Sequence, residues 1–294
     1  MDTVFTLRIY GESAGVDAHF SAVLQLLQEI EAALSRTKED SDISRINRAR
    51  SAGELSAHTR AALTVAVDVM TLTDGAYLPT MGAITALWQR AGETNTLPDA
   101  AEMSAALYAA RQGFTFENGV CTILGEGALL DLGGIGKGYA VDCVLDYLKQ
   151  AGVSGALLSF GSSVATLGAK GDGTPFKVSL RHPRNSSANV GILTDPVGVL
   201  SVSGDYERYV TVNGIKYHHV LDPADGYPSD SGIASVAVLC ERGAYSDALS
   251  TAFLVMGREK AEQLLAGQTV AAQVIFVTPE GETFTTPDLA FSDK

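Results

Sequence analysis

Residues 3–10 alternate, with Phe5, Leu7 and Ile9 on one side and Thr6, Arg8 and Tyr10 on the other. That period of two predicts a half-buried strand. From about Val16 to Leu34 the period lengthens: Phe20, Val23, Leu24, Leu27, Ile30 and Leu34 recur at helical spacing, leaving Gln25, Gln28, Glu29 and Glu31 for solvent. A second helix is expected from a Ser56 cap to about Thr73, stopped by Gly75. A third opens at Asp99 with Glu102 three residues later, the arrangement of a capping box. Residues 139–150 read as helix again, with Ala140, Val141, Val144, Leu145 and Leu148 on one side and Gly152 beyond the end.

After that point strands dominate. Segments 156–160, 176–180, 197–202, 209–212, 216–221, 233–239 and 272–277 are β-like and separated by Gly, Pro, Asn and Asp turns. One helix, 247–256, interrupts them. Helices in clusters followed by runs of strands point to an α+β fold, not a doubly wound parallel sheet.

The chain has 294 residues, 46% hydrophobic and 19% charged, enough for a well-filled core. No Pro/Ser-rich linker or charge block divides it, so one domain over residues 1–294 is expected. A net charge of −13 repels phosphate backbones and anionic lipid heads, which argues against nucleic acid as a partner. An anionic substrate would then need local positive groups or a cation at its site. Cys121, Cys143 and Cys240 lie far apart in apolar stretches and form no CxxC pair, the pattern of buried free thiols. No run approaches the roughly 20 apolar residues of a membrane span, and no basic-then-apolar leader precedes the first strand.

Three segments carry chemistry. Asp131-Leu-Gly-Gly-Ile-Gly-Lys-Gly-Tyr-Ala-Val-Asp142 is a glycine-rich turn feeding a helix, where free N–H groups favour an anion such as phosphate. It is neither a P-loop nor GxGxxG, and the glycines could equally serve a tight turn with Lys137 as a solvated charge. In Tyr245-Ser-Asp-Ala-Leu-Ser-Thr-Ala-Phe253, Asp247 and Thr251 are four apart and share one helix face. Two oxygens suit a magnesium ion that keeps waters and borrows phosphate oxygens, while the alternative makes Asp247 a helix cap and lets Thr251 bond its own helix. In Lys216-Tyr-His-His-Val-Leu-Asp-Pro-Ala-Asp-Gly-Tyr-Pro228, a strand runs into turns. His218 and His219 would point to opposite faces of a regular strand, so at most one serves a site and the other is structural or solvent-facing.

The order of these segments resembles the ApbE-type FAD:protein FMN transferases, once called thiamine-biosynthesis lipoproteins. The resemblance begins at Met1-Asp-Thr and passes through Ser41-Asp-Ile-Ser-Arg-Ile-Asn47, Thr73-Asp-Gly-Ala-Tyr-Leu-Pro-Thr80, Trp88 and the loop from Asp131 to Asp142. It continues through Phe160-Gly161, Ser203-Gly-Asp-Tyr-Glu-Arg208, His219-Val-Leu-Asp-Pro223 and the stretch from Ser246 to Gly257. It implies a T-fold-like α+β architecture with internal duplication, although the sequence itself shows no repeat. Carried over, Met1, Asp131, Lys137 and Val220 would contact FAD, and Mg2+ would take the Gly134 carbonyl, Asp247 and Thr251.

The activity implied is transfer of FMN from FAD to a Ser or Thr hydroxyl of an acceptor protein, with AMP leaving. His219 is the candidate base, since neutral imidazole near pH 7 accepts a proton without large retuning. A redox-pump subunit at a membrane is the kind of acceptor the resemblance suggests. The location would be extracytoplasmic, anchored through a leader absent here, or cytoplasmic if Met1 is the native start. A flavin-storage protein, or a pyrophosphatase releasing FMN and AMP to water, are the alternatives. Thr37, Leu78 and Ser162-Ser163 depart from the family pattern, and the missing aromatic at Thr37 implies weaker stacking on flavin.

Overall fold

The computed structural model describes residues 3–11, 15–267 and 271–293. Its first half is helix-rich: β1 (Phe5–Tyr10), α1 (Val16–Leu34), α2 (Asp42–Ala49), β2 (Ser51–Ala52), α3 (Ala57–Leu72), α4 (Gly82–Thr94), α5 (Ala100–Arg111), β3 (Phe114–Glu117) and β4 (Val120–Ile123). Then follow α6 (Gly136–Gln150), β5 (Gly155–Phe160), β6 (Ser163–Gly168), β7 (Lys177–His182), β8 (Asn185–Thr194), β9 (Val199–Gly204), β10 (Tyr209–Val212) and β11 (Ile215–His218). The chain closes with β12 (Ser235–Cys240), α7 (Gly243–Met256), α8 (Arg258–Ala266), β13 (Gln273–Val277), β14 (Thr283–Thr285) and β15 (Phe291–Asp293). Among the described residues no helix is long and apolar enough to cross a membrane.

Seven strands form one antiparallel sheet in the order β1-β5-β6-β9-β12-β13-β14, so the α+β expectation holds. All six residues of β12 are buried, because both of its faces are covered. Val236 and Val238 face the main core with α6 and α7, whereas Ala237 and Leu239 face Leu180, Val190 and Leu193 of the β15-β8-β7 sheet. Two-sided cover is why this strand reads as a continuous apolar run and not as an alternation.

The helix starts follow local chemistry where a cap is nearby in sequence. Ser56 accepts from the Thr59 N–H, and Asp99 accepts from those of Ala101 and Glu102. The second half of the expected capping box is absent: the Glu102 carboxylate pairs with Arg90 on α4 instead of returning to Asp99. On α1 the core stripe is Val23, Ile30, Ala33 and Leu34, while Phe20 and Leu24 are exposed. They lie about 80° and 120° around the helix from the centre of that stripe, so apolar character alone does not bury them. The strand expected over 216–221 ends at His218, where the chain enters the Asp-Pro turn. Helices α2, α4 and α8 went unread; α2 is only eight residues, its Ser41 cap accepting from the Ser44 N–H.

Two local features aim the site. The helix expected from residue 247 begins at Gly243, so Asp247 sits in its second turn and is not its cap. The capping acceptor is Asp142 of α6, whose carboxylate accepts from the Gly243 N–H at 2.6 Å and the Ala244 N–H at 3.0 Å. Burial raises the pKa of Asp142, and those two N–H groups and Arg242 oppose the rise. The second feature is the contact between Gly138 and Gly243, where α6 and α7 meet backbone to backbone.

Candidate active site

A cleft of about 900 Å³ opens where the glycine-rich turn, the start of α7, the end of β9 and the segment after β11 converge. Asp131, Gly134, Lys137, His219, Val220, Asp247 and Thr251 all border it. Met1 lies outside the described residues. The volume falls within the range of roughly 300–1,000 Å³ common for ligand clefts.

Asp247 is 2% exposed, and its carboxylate accepts from the Gly138 N–H at 3.1 Å. The Lys137 ammonium stands 3.2 Å from the same carboxylate and donates to the Gly133 carbonyl at 3.3 Å. Lys137 is therefore no solvated surface charge; its side chain is 22% exposed and partners a buried acid. Replacing it by Met is expected to cost about 1–3 kcal/mol of stability, since a buried carboxylate would lose its counter-charge and keep one N–H. Urea denaturation at low ionic strength measures this, and an unchanged midpoint would return Lys137 to the surface role.

Thr251 lies one turn beyond Asp247, with its hydroxyl 3.2 Å from that of Ser203, which in turn meets Ser250 at 2.7 Å. A side chain on Gly134 would lie 3.5 Å from the Thr251 hydroxyl and 2.9 Å from the Tyr77 ring, so only glycine lets these walls close without displacing Tyr77. Asp131 spends one oxygen on the Gly133 N–H at 2.9 Å and the other on Arg36 at 2.8 Å. Among the described residues no three His, Cys, Asp or Glu side chains cluster as a metal cage. A buried carboxylate, a hydroxyl and an adjacent backbone form an all-oxygen set that fits a hard cation sharing its shell with phosphate and water.

His219 lies just past β11. Its Nδ1 is 3.1 Å from the Arg208 carbonyl. A carbonyl can only accept, so Nδ1 carries the hydrogen and Nε2 is left with its lone pair. Burial pushes the imidazole from its ordinary 6.5 down to about 4, with the Arg208 carbonyl opposing and Lys137 reinforcing the fall. The ring edge still opens to the cleft, so solvent moderates the shift, and its downward direction is what bears on the chemistry. A downward shift keeps the imidazole neutral at pH 7, as a proton acceptor requires. His218 also borders the cleft, and its Nε2 donates to the Ser229 carbonyl at 3.1 Å, tying the turn segment to β11. Val220 is buried, and its carbonyl accepts from the Ser229 N–H at 3.0 Å.

The wall also holds Arg36 and Lys38, outside every motif, and Arg208, Trp88 and Tyr217, which lie within motifs but have no role assigned by them. Arg36, Lys38 and Arg208 join Lys137, giving four bases against the four acids Glu31, Asp131, Glu207 and Asp247. With 21 bases to 34 acids in the whole chain, the cleft is the less anionic part of the molecule, as an anionic ligand requires. Trp88 and Tyr217 line the other end, with ring centroids 4.8 Å apart. Thr37, Leu78 and Ser162 border the cleft, whereas Ser163 is buried in the sheet with its hydroxyl against that of Ser201.

Fold and cleft define an α+β protein whose glycine-turned helix start, buried aspartate and neutral imidazole face one cavity. A family model described as the ApbE family matches residues 1–276, and the chain belongs to that family. A Klebsiella pneumoniae protein named FAD:protein FMN transferase is 32% identical over 284 residues, covering 95% of this chain and 87% of that one. The solved ApbE protein of Thermotoga maritima matches with a TM-score of 0.85 at 28% identity, covering 97% and 96% of the two chains. Flavinyl transferase ApbE of Pseudomonas stutzeri, in its apo form, matches with a TM-score of 0.81 at 29% identity over 96% and 91%.

Proposed function

We propose that this chain transfers FMN from FAD to a Ser or Thr hydroxyl of an acceptor protein, with magnesium, and releases AMP. One observation carries the reading: three distant chain segments bring Asp131 with Lys137, His219, and Asp247 with Thr251 to a single cleft. Family membership and the names of the relatives support it.

The acceptor hydroxyl oxygen bonds to the FMN phosphorus, the bond from that phosphorus to the bridging oxygen breaks, and AMP leaves with that oxygen. His219 Nε2 takes the hydroxyl proton as the attack proceeds. The Arg208 carbonyl holds the ring in the tautomer that leaves Nε2 free. Lys137 and the N–H groups at the start of α6 bind and orient the diphosphate. Asp247, Thr251 and the Gly134 carbonyl would hold the magnesium ion, which neutralises charge on the phosphate oxygens when bound. Asp131 and Val220 would border the nucleotide, and the partner is an acceptor protein such as a redox-pump subunit at a membrane.

Incubation with FAD, magnesium and a candidate acceptor should add an FMN mass to the acceptor, and excess chelator should abolish the addition. FMN and AMP released with no adduct on any acceptor would make the chain a pyrophosphatase. FAD bound and returned intact would make it a store.

A further inference from the structure

The hydroxyls behind Thr251 form a chain whose hydrogens run in one direction. Ser250 on α7 is fully buried, and its hydroxyl donates to the Asp247 carbonyl at 2.8 Å. A carbonyl only accepts and a serine has a single hydrogen, so at the 2.7 Å contact between Ser250 and Ser203 it is Ser203 that donates. With its hydrogen spent, Ser203 can only accept from Thr251, whose hydroxyl stands 3.2 Å away. The order is therefore Thr251 to Ser203, Ser203 to Ser250, and Ser250 to the Asp247 carbonyl.

A threonine inside a helix ordinarily turns its hydrogen to the carbonyl four residues back. Here that carbonyl belongs to Asp247 and lies 3.4 Å from Thr251 Oγ1. Its two lone pairs already serve the helical N–H of Thr251 and the Ser250 hydroxyl, so Ser203 is the better acceptor. Ser203 sits on β9, which is held between β6 and β12 in the main sheet, so the acceptor is fixed by sheet pairing. With its hydrogen drawn inward, Thr251 keeps its lone pairs for the cleft that it borders.

We infer that Ser250 and Ser203 are positioning residues that fix the Thr251 hydroxyl as a pure acceptor toward a cation, although buried Ser250 does not itself reach the cleft. The inference rests on the proposed magnesium reading. Partners that orient a metal ligand govern metal affinity along with the ligands themselves. Removing the Ser250 hydroxyl reverses the chain: the freed Ser203 hydrogen turns to Thr251 Oγ1 and occupies a lone pair that the cation needs. Removing the Ser203 hydroxyl instead releases Thr251 to its own helix carbonyl.

The test titrates Mn2+, a paramagnetic stand-in for magnesium, into FAD-saturated protein and follows free Mn2+ by electron paramagnetic resonance. Ser250→Ala and Ser203→Ala should each bind the ion about 10-fold more weakly than wild type, the lower end of the range for losing such a partner. In a Thr251→Val background, Ser250→Ala should cause no further loss, because it acts through the hydroxyl already removed. FAD affinity without metal, read by flavin fluorescence, should be the same with and without Ser250→Ala. Unchanged Mn2+ affinity in Ser250→Ala would overturn the inference alone. So would an undiminished loss in the Thr251→Val background, or an equal loss of metal-free FAD binding, since either means a general loosening of α7. Absence of Mn2+ binding by the FAD-loaded wild-type chain would remove the magnesium reading and this inference with it.

Discussion

His219→Ala is expected to slow FMN transfer by about 10²- to 10⁴-fold while FAD affinity stays close to wild type. The side chain borders the cleft with Nδ1 committed to the Arg208 carbonyl and Nε2 open, so its loss removes a proton acceptor and not a wall. The pH profile carries an independent sign. An ordinary imidazole would lose its base form below 6.5; this one is pushed down toward about 4. Transfer should therefore stay on its plateau as pH falls through 6.5 and decline only further into acid. His218→Ala should slow transfer far less, because its role is the bond to Ser229 that steadies the turn segment. Single-turnover rates of wild type and both variants across pH test the assignment. Equal losses from the two substitutions, or full transfer without His219, would place the base elsewhere.

Gly138→Ala should be among the most damaging single-methyl additions to this chain, costing about 3 kcal/mol or more, at the upper end of what overpacking imposes. The added carbon would lie 1.9 Å from the Gly243 carbonyl oxygen and 2.9 Å from Asp247 Cβ. A backbone oxygen cannot rotate away as a side chain can, so α6 and α7 must separate. Separation would also draw the Asp247 carboxylate from the Gly138 N–H and strain the Asp142 cap on α7. Metal-stimulated FAD turnover should accordingly fall with stability. Gly136→Ala, at a position with open space around it, is the control, and denaturant midpoints for the pair give the measurement. Equal midpoints would mean that the helices do not rely on this close approach.

Much of the fold could be read from local pattern because local pattern caused it. Residues 3–10 and 139–150 have the period of their element, and Ser56 and Asp99 cap the helices that follow them. The start of α7 is not legible locally because its cap is Asp142, which lies about a hundred residues earlier and meets the helix only across the α6–α7 contact. Phe20 and Leu24 were read as core and are exposed, since hydrophobicity sets what can be buried and the position of neighbouring helices sets what is. The short helix α2 and the apolar-poor α8 offered too few turns for a period to emerge.

By itself the sequence determined the α+β class, the family resemblance and the identity of the chemistry-bearing side chains, because residue type and short-range spacing are local quantities. Tertiary structure alone decided how those side chains are used. The pairing of Lys137 with Asp247, the tautomer and lowered pKa of His219, and the gathering of Arg36, Lys38 and Arg208 on the cleft wall all arise from contacts between segments of the chain. Desolvation and charge pairing depend on what packs around a group in three dimensions, and that arrangement exists only once the sheet and its helices have closed over the cleft.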